Sequence, residues 1–414
     1  MTSEIVFWYW SVIVAFAFFF ISKREFDFFS VGYISTVVYF LPLFFGFTRV
    51  SLVYYAPVSE ALYMMAGMVV LVTTSTAYLI DKINVRTVMT YSNNNLLVGF
   101  FLVMSLIGFI GMVSTSGEAL LSSDKQEMMD HLNRFSILYE IGFILGAVSA
   151  YLGGANRSLS VFLFLVMVDV FLGFRSSAAI VFIAISLLWL NHHGKMRLIE
   201  LLHRRWVASL ALFLGVLFFF FYKGVYVAVK EGDWQHLMYI VSHKDYYIST
   251  ITFSEPFVTQ SILNEVVRSN FSLNPSYLLT NGFQVIPYSD ELGLSVIGFN
   301  SLFQPELFPE VSSGMAGNWW AEWFAVSGWT GFSVGLLIYV GGLAVFSLML
   351  RRWRFNRVRL AVVVVMGVLW AFYIHRNEIA YFITLEKRVF GLWVLSVFCV
   401  SIAYLAAKLN RVAH

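Results

Sequence analysis

Cysteine and charged residues are both scarce in this sequence, and each scarcity excludes a class of protein. Cys399 is the only cysteine, so the chain forms no internal disulfide, and structural zinc binding and thiol redox chemistry have no support. Charged residues make up 12% of the chain, against about a quarter in a typical soluble domain. A share this low over 414 residues excludes a soluble protein with a single membrane anchor.

The usual sequence signals for nucleic acid, nucleotides and metals are also missing. The formal charge of +3 is too small and too scattered to predict a nucleic-acid partner. Neither of the two glycine-rich nucleotide signatures occurs, and no pattern of histidine, cysteine and aspartate predicts a metal site. We therefore expect no cofactor, and the energy for any reaction must come from an activated substrate or from an ion gradient.

Apolar residues are abundant instead, and their pattern predicts helices. They make up 59% of the chain, with a mean hydropathy of +0.76. Residues 12–21 and 360–369 are apolar on every face, which excludes the short alternating strands of a porin-type barrel. The first apolar segment follows Glu4 without a basic stretch or a small-residue cleavage site, so we expect a retained helix rather than a signal peptide. The sequence thus predicts an all-α polytopic integral membrane protein.

Eleven segments are candidates to cross a bilayer as helices. They are residues 5–21, 28–47, 61–80, 96–114, 136–154, 158–173, 177–192, 207–223, 323–350, 360–374 and 389–407. The sixth and seventh are short and separated only by residues 173–176, so a hairpin and a broken pair both stay open. One long loop, residues 224–322, divides the first eight spans (1–223) from the last three (323–414). It is predicted to be partly helical, with a helix beginning at Glu255-Pro256.

Lysine and arginine between these spans set the expected orientation, because cytoplasmic loops carry an excess of both. Sixteen of the 27 lie on one side and eleven on the other. Four of the eleven lie in or beside residues 224–322, a loop too long for the rule to apply, so the comparison becomes sixteen against seven. We expect the side with sixteen to be cytoplasmic. The N-terminus and the long loop are then outside, and the C-terminus is inside.

Five arginines fall on the expected outer face, where basic residues run against the orientation rule: Arg49, Arg175, Arg268, Arg376 and Arg388. Arginine suits the recognition of phosphate by paired hydrogen bonds. Arg175 lies between two apolar spans with almost no loop, so we expect its charge to face the protein interior. Arg376 and Arg388 border a short charged loop between the last two spans and rank next. For each arginine, the alternative is contact with lipid headgroups at a helix end.

Three carboxylates lie within or beside predicted spans, where ionisable groups are candidates for function: Glu140, Asp169 and Glu322. Asp169 has a second interpretation, a pair with Arg175, although six residues is not the one-turn spacing. Glu322 stands where the long loop re-enters the membrane, in an aromatic setting, and is predicted to be a general base. The alternative is an aromatic belt with one carboxylate facing water. His375, next to the outer charged loop, is a further candidate.

Two stretches resemble segments of the O-antigen polymerases of the Wzy type. Gly173-Phe174-Arg175-Ser176-Ser177 resembles the Gly-Ser-Arg-Gly turn common in that family. The segment after the long loop resembles the family pattern Gly-Glu-x-Tyr-x-x-Phe-Gly-x-x-Gly, and three residues keep their spacing in it, namely Glu322, Gly328 and Gly331. Three others depart from it, namely Ala321, Phe324 and Ser327. The spans, the large external loop and the length agree along the whole chain, but the arginine-plus-glycine repeats of some members do not stand out.

The resemblance implies a glycosyltransferase of the bacterial inner membrane. Such an enzyme moves a growing glycan from undecaprenyl pyrophosphate to the next lipid-linked repeat unit at the periplasmic face, with the diphosphate as leaving group. It implies arginines that bind the diphosphate, for which Arg175 with Arg376 or Arg268 is the expected set, and Arg388 is a further candidate. Glu322 would be the base. The expected partners are the bilayer, lipid-linked oligosaccharides and a chain-length regulator.

Three other functions stay open. An O-antigen ligase, which moves the finished chain to the lipid A core, resembles this chain too, but ligases typically carry histidine where Gly317-Asn318 stands. A flippase for lipid-linked oligosaccharides should have short loops on both sides and charges deep in several helices, unlike this chain. A metal-dependent glycosyltransferase would need Glu25-Phe26-Asp27 as its acidic pair, and our orientation puts that segment in the cytoplasm.

Overall fold

The structure is a computed structural model. It describes residues 2–50, 52–88, 94–122, 125–192, 197–200, 206–286, 289, 292–294, 296–311 and 314–412. Three of the sixteen basic residues that set the orientation, Lys195, Arg204 and Arg205, lie outside these residues. Most of the described chain is helical, because a backbone in an apolar surrounding must satisfy its own N–H and C=O groups.

The first half of the chain contains nine helices in the described residues, with one short hairpin among them. They are α1 (Thr2–Phe18, continued by a π-helical turn, Phe19–Lys23), α2 (Phe28–Tyr39), α3 (Pro42–Phe45), β1 (Phe47–Val50), β2 (Tyr54–Pro57), α4 (Glu60–Asp81), α5 (Asn95–Ser116, continued by a 3-10 helix, Gly117–Leu121), α6 (Lys125–Asp130), α7 (Arg134–Gly153), α8 (Asn156–Phe171) and α9 (Ser176–His192). The two strands pair antiparallel, with Phe47 opposite Pro57 and Val50 opposite Tyr54.

The second half is helical in all its named elements. They are α10 (Trp206–Glu231), α11 (Trp234–Ser242), α12 (Lys244–Thr252), α13 (Glu255–Ser269), α14 (Ser276–Gly282, continued by a 3-10 turn, Phe283–Val285), α15 (Phe299–Leu307), α16 (Trp319–Arg352), α17 (Arg357–Val368, continued by a π-helical turn, Leu369–Tyr373, and a 3-10 turn, Ile374–Arg376) and α18 (Ile379–Val412). The long loop of the sequence is thus mostly helix. The helix predicted at Glu255-Pro256 is confirmed as α13, with the proline in its first turn.

Seven helical segments of the described chain are long and apolar enough to cross a membrane. They are Glu4–Lys23, Glu60–Asp81, Asn95–Leu121, Arg134–Gly153, Trp319–Arg352, Arg357–Arg376 and Ile379–Ala406. Each coincides with one of the eleven predicted spans to within about ten residues at either end. The chain is therefore an all-α membrane protein by the length and composition of its helices.

The other four predicted spans are not among the seven. Residues 28–47 are not one helix: α2 ends at Tyr39, and Pro42, which has no N–H to donate to the carbonyl of Val38, begins α3. Residues 158–173 and 177–192 form α8 and α9, whose 16 and 17 residues rise about 1.5 Å each and fall short of a hydrocarbon core of about 30 Å. Residues 207–223 lie within α10.

The helices differ in how deeply they lie in the bundle. The apolar windows of Arg134–Gly153 and Arg357–Arg376 are 61% and 72% buried, whereas those of Glu4–Lys23 and Ile379–Ala406 are 17% buried. Helices α7 and α17 therefore form the centre, and α1 and α18 lie at the periphery. Large buried rings, among them Tyr139, fill the space around them.

Helix α16 contains a kink at Ser327 and Gly328, three residues before Gly331. Ser327 and Gly328 have non-helical dihedral angles, and Gly328 has φ 57° and ψ −136°, a conformation that only glycine adopts readily. A Cβ atom on Gly331 would lie 2.0 Å from the carbonyl oxygen of Trp323. Gly328 is thus required by its dihedral angles. Gly331 is required because the backbone after the kink passes close to the carbonyl of Trp323.

A buried ion-pair network joins the helix ends on one side of the bundle. The Arg24 side chain is 1% exposed and donates to Asp27 and to Asp81, with its Nε 2.8 Å from Asp81 Oδ2. Asp27 also accepts from the backbone N–H of Phe29 at the start of α2, and Arg351 donates to Asp81. We call this the basic end. Glu322 and Arg376, at the far ends of α16 and α17, lie at the opposite end, which we call the site end.

Replacing Arg24 with alanine should destabilise the protein strongly. The change removes the cation from the buried carboxylate of Asp27, while Asp81 keeps its contact with Arg351. Leaving a buried carboxylate without its cation costs about 3–5 kcal/mol in the free energy of unfolding. Thermal unfolding of the purified protein in detergent measures the loss. Arg352→Ala is the matched control, because that side chain is exposed and its loss should change stability by about 0.5 kcal/mol or less. Equal unfolding temperatures for the two variants would show that the network carries no stability.

Candidate functional site

Two of the predicted arginines meet on one carboxylate at the site end. Arg175 lies in the turn between α8 and α9, where Gly173 has φ 96°, and its Nη2 is 3.1 Å from Glu255 Oε1. Arg376 ends the segment that continues α17, and its Nη1 is 2.9 Å from Glu255 Oε2. Glu255 is the first residue of α13. We call these three residues the arginine–glutamate cluster.

The cluster is half-buried, so a ligand from outside can reach it. The side chains of Arg175, Arg376 and Glu255 are 22%, 26% and 30% exposed. Arg376 also donates to the hydroxyl of Tyr373 at 2.9 Å, and Tyr39 is an electrostatic neighbour of all three members. Two guanidinium groups face one carboxylate here. Partly buried guanidinium groups in this arrangement form strong, directional hydrogen bonds to carboxylate or phosphate oxygens.

Glu255 is the member that sequence reasoning missed as a site residue. The sequence marks it only as the residue before Pro256, at the start of a predicted helix. Nothing in that pattern connects it to Arg175, 80 positions earlier, or to Arg376, 121 positions later. Its importance follows from the position of α13, which packs against the hairpin, α2 and α16. That packing brings the head of α13 to the arginines.

The structure does not bring Arg268 to the cluster. It lies in the last turn of α13, thirteen residues from Glu255, which is about 20 Å along a helix. Its side chain is 45% exposed and contacts Glu265 at 3.3 Å. Arg49 lies over the ring of Phe253, with its guanidinium carbon 4.2 Å from the ring centre. A role for Arg268 in binding the same group as Arg175 therefore has no geometric support.

Glu140 and Arg388 form a second charged neighbourhood beside the cluster. Arg388 is an electrostatic neighbour of Glu140, and both act on Tyr381, which Arg376 also reaches. The prediction of a charged loop around Arg388 is wrong. Helix α18 begins at Ile379 and runs through this arginine, because no glycine or proline interrupts residues 379–390.

Glu322 is completely buried and both of its carboxylate oxygens are in use. Its Oε1 accepts from Asn281 Nδ2 at 2.9 Å, and its Oε2 accepts from the backbone N–H of Ile379 at 2.6 Å. The side chain thus joins α14 and α16 to the first residue of α18. The alternative interpretation, a carboxylate that faces water from an aromatic belt, is wrong. In this geometry Glu322 holds three helix ends together.

A second acid, Glu378, lies next to Glu322 and heads another helix. Its Oε2 is 3.4 Å from the backbone N of Asn300, in the first turn of α15. Burial raises the pKa of Glu378 above its ordinary value, and the backbone N–H groups of Asn300 and Phe299 lower that pKa. The carboxylate lies at the N-terminus of α15, where backbone N–H groups lack helical partners and favour its charged form.

Asp169 and His375, the remaining predicted residues, have buried hydrogen-bond partners. Asp169 accepts from the hydroxyl of Ser177. His375 Nδ1 accepts from the indole N–H of Trp320 at 2.9 Å, and its Nε2 lies 3.4 Å from Thr36 Oγ1. Because Nδ1 is an acceptor, the ring proton is on Nε2. His375 also stacks on Tyr39, with 5.6 Å between ring centres, so it supports the wall of the cluster rather than its charge.

Comparisons of the chain with protein-family models, with curated proteins and with solved structures found no match. Among the described residues, no group of three or more histidine, cysteine, aspartate or glutamate side chains is placed to hold a metal ion. The fold and the site together define an all-α membrane protein with a half-buried pair of arginines, bridged by a carboxylate, at one end of its helix bundle.

Replacing Glu322 separates an anchoring role from a chemical one. Glu322→Ala leaves the N–H of Ile379 and the amide of Asn281 without partners, and each buried unpaired group costs about 1–3 kcal/mol. Glu322→Gln keeps one oxygen for Ile379. Its new N–H₂ replaces the oxygen that accepts from Asn281 Nδ2, and it can donate to Asn281 Oδ1, which has no partner among the described residues, once the Asn281 amide turns over. We expect the alanine variant to unfold at a clearly lower temperature and the glutamine variant to stay close to the wild type. Equal losses in the two variants would contradict the anchoring role.

Proposed function

We propose that this protein is a polymerase that joins lipid-linked oligosaccharide repeat units into a surface polysaccharide. The lipid-linked diphosphate is the leaving group, and the arginine–glutamate cluster is the site that binds it. One observation carries the proposal: Arg175 and Arg376, from distant parts of the chain, each lie within 3.1 Å of the same carboxylate. Two guanidinium groups held at this spacing match a ligand with several anionic oxygens.

The carboxylate of Glu255 occupies the position that phosphate oxygens would take. A diphosphate binds by replacing Glu255 at the guanidinium N–H groups, since both ligands need the same donors. As the bond between the anomeric carbon and the diphosphate oxygen breaks, negative charge grows on the leaving group. The two arginines, fixed in a partly buried site, stabilise that charge.

The replaced carboxylate then supplies the base. Glu255, once released by the arginines, accepts the proton of the acceptor hydroxyl while the acceptor oxygen bonds to the anomeric carbon. The lipid diphosphate leaves with the electron pair of the broken bond. The sequence prediction gives the base role to Glu322, whose two oxygens are engaged elsewhere. Chain extension by the Glu322→Gln variant distinguishes the two: activity close to wild type supports Glu255, and a stable but inactive variant supports Glu322.

We further propose that the chain crosses the bacterial inner membrane eleven times. Four further crossings, at α2, α8, α9 and α10, add to the seven long spans. Of these, α2, α8 and α9 are shorter than the hydrocarbon core, so they would cross with their ends inside the protein rather than in contact with lipid. Helix α9 supports this count, because it begins beside Arg175 at the site end and its Asn191 accepts from Arg354 at the basic end. The site end is then periplasmic and the basic end cytoplasmic, which leaves the N-terminus outside and the C-terminus inside.

The rival functions predict different products in cells that lack the gene. Loss of a polymerase leaves single repeat units on the surface, loss of a ligase leaves unattached lipid-linked polymer, and loss of a flippase leaves repeat units inside. For a metal-dependent glycosyltransferase, Asp27 is a poor metal ligand, because its carboxylate is buried against Arg24 and caps α2. The deletion therefore tests the proposal against the ligase and flippase directly.

Removing either arginine of the cluster should stop chain extension. In Arg175→Ala and Arg376→Ala the leaving group loses one guanidinium, and we expect the rate of extension to fall about 100-fold or more. The readout is the ladder of surface glycan on a gel, which should collapse to single repeat units while the protein stays in the membrane. Arg268→Ala, about 20 Å away along α13, is the control and should give a normal ladder. Normal ladders in both cluster variants would refute the proposed function.

The proposed orientation predicts which single cysteines a membrane-impermeant maleimide labels in intact cells. In a Cys399→Ser background, Ser272→Cys at the site end should be labelled in cells with a permeable outer membrane. Asn84→Cys at the basic end should be labelled only after the inner membrane is opened. Both positions are exposed, so access depends on the side of the membrane alone. The reverse labelling pattern would invert the orientation and place the cluster in the cytoplasm.

A further inference from the structure

A cavity of about 940 Å³ opens at the basic end, far from the arginine–glutamate cluster. Its wall carries six basic side chains, namely Lys23, Arg24, Lys82, Arg351, Arg354 and Arg357, together with the two acids Glu25 and Asp81. Apolar side chains, among them Leu350 and Leu360, complete the wall. The cavity wall thus combines basic and apolar side chains.

Part of this positive charge is already neutralised inside the protein. Arg24 and Arg351 are held by Asp27 and Asp81 in the buried network. The network also holds part of the cavity wall in place, because the almost fully buried Arg24 joins the ends of α1, α2 and α4.

Four cations of the wall have no carboxylate partner among the described residues: Lys23, Lys82, Arg354 and Arg357. Lys82 lies over the ring of Tyr78, with 4.2 Å between its Nζ and the ring centre. Arg354 donates to the backbone carbonyl of Asn191 at 2.8 Å. These contacts orient the two side chains and leave their charges unbalanced. Unbalanced cations around one cavity attract an anion to it.

We propose that this cavity binds a phosphate-bearing anion, of the kind that an acidic phospholipid headgroup or a free phosphate compound presents. The four unpaired cations match a phosphate group, and the apolar wall suits the glycerol and acyl stem of a lipid. The cavity lies where α4 and α16 end and α17 begins, which is the level of the headgroups for helices that span the hydrocarbon core. Basic pockets between spanning helices are suited to anionic lipid headgroups.

The cavity is independent of the proposed catalytic site. The segment Arg357–Arg376 has 20 residues, and at 1.5 Å per residue its two ends are about 30 Å apart. Arg357 lines the cavity, and Arg376 belongs to the cluster. The two sites therefore lie at opposite ends of the same helix, and the cavity proposal does not rest on the polymerase proposal.

Lipid binding to the purified full-length protein in detergent tests the proposal. Native mass spectrometry gives the affinities for cardiolipin, for phosphatidylglycerol and for zwitterionic phosphatidylcholine. The test variant is Lys82→Ala/Arg357→Ala, because neither side chain makes a hydrogen bond or an ion pair within the described residues. The control is Arg352→Ala/Arg359→Ala, which removes the same charge at the same end from residues outside the cavity wall. Thermal unfolding checks that both variants are folded.

We expect the test variant to bind both anionic lipids about tenfold to thirtyfold more weakly than the wild type. The control variant should bind them within about twofold of the wild type. A second experiment adds inorganic diphosphate without lipid. If the wild type binds diphosphate and the Lys82→Ala/Arg357→Ala variant does not, the ligand is a free phosphate compound. Lipid binding without diphosphate binding identifies the headgroup. Equal affinities for the test and control variants, or equal binding of phosphatidylcholine, would overturn the proposal.

Discussion

A charge that enters an apolar helix bundle must find its counter-charge or its hydrogen bonds inside the protein, because lipid supplies neither. The organisation of this molecule follows from that constraint. At the basic end, Arg24 is satisfied by Asp27 and Asp81, and this contact fixes the ends of three helices. At the site end, two arginines share the carboxylate of Glu255. Two groups of buried and half-buried charges thus lie at opposite ends of the bundle, separated by the apolar length of the helices.

The group at the site end is assembled from three distant parts of the sequence. One arginine comes from a tight turn between two short helices, the other from the irregular end of α17, and the carboxylate from the head of α13. The neighbouring contacts keep these parts in register. Glu322 ties the first turn of α16 to the start of α18, and His375 holds Trp320 and Tyr39 in place. In the proposed reaction Glu255 moves aside while the two arginines stay in place, and donors fixed in this way favour the stabilisation of developing charge.

The apolar pattern was sufficient to predict the long helices, because a membrane-spanning helix is a local feature of about 20 residues. An inward-facing charge at Arg175 could also be anticipated, since it lies between two apolar segments, but the sequence left Arg376 and Arg268 as alternative partners and only Arg376 lies in the cluster. The carboxylate between Arg175 and Arg376 could not be anticipated. It lies 80 residues from one arginine and 121 from the other, and no periodicity links such positions. The partners of Glu322 could not be anticipated for the same reason, because Asn281 and Ile379 are 41 and 57 residues away.

The ion pairs between Glu255 and the two arginines also affect which anions can bind to these arginines. An internal carboxylate competes for the guanidinium groups at a high effective concentration, because it is tethered beside them. A phospholipid headgroup with a single negative charge offers no more than Glu255 already provides, so it gains little by replacing it. A diphosphate brings more charge and more oxygens, and can engage both arginines at once. If the cluster binds a diphosphate as proposed, these ion pairs would therefore exclude the abundant singly charged lipids around the protein and admit only a more highly charged ligand.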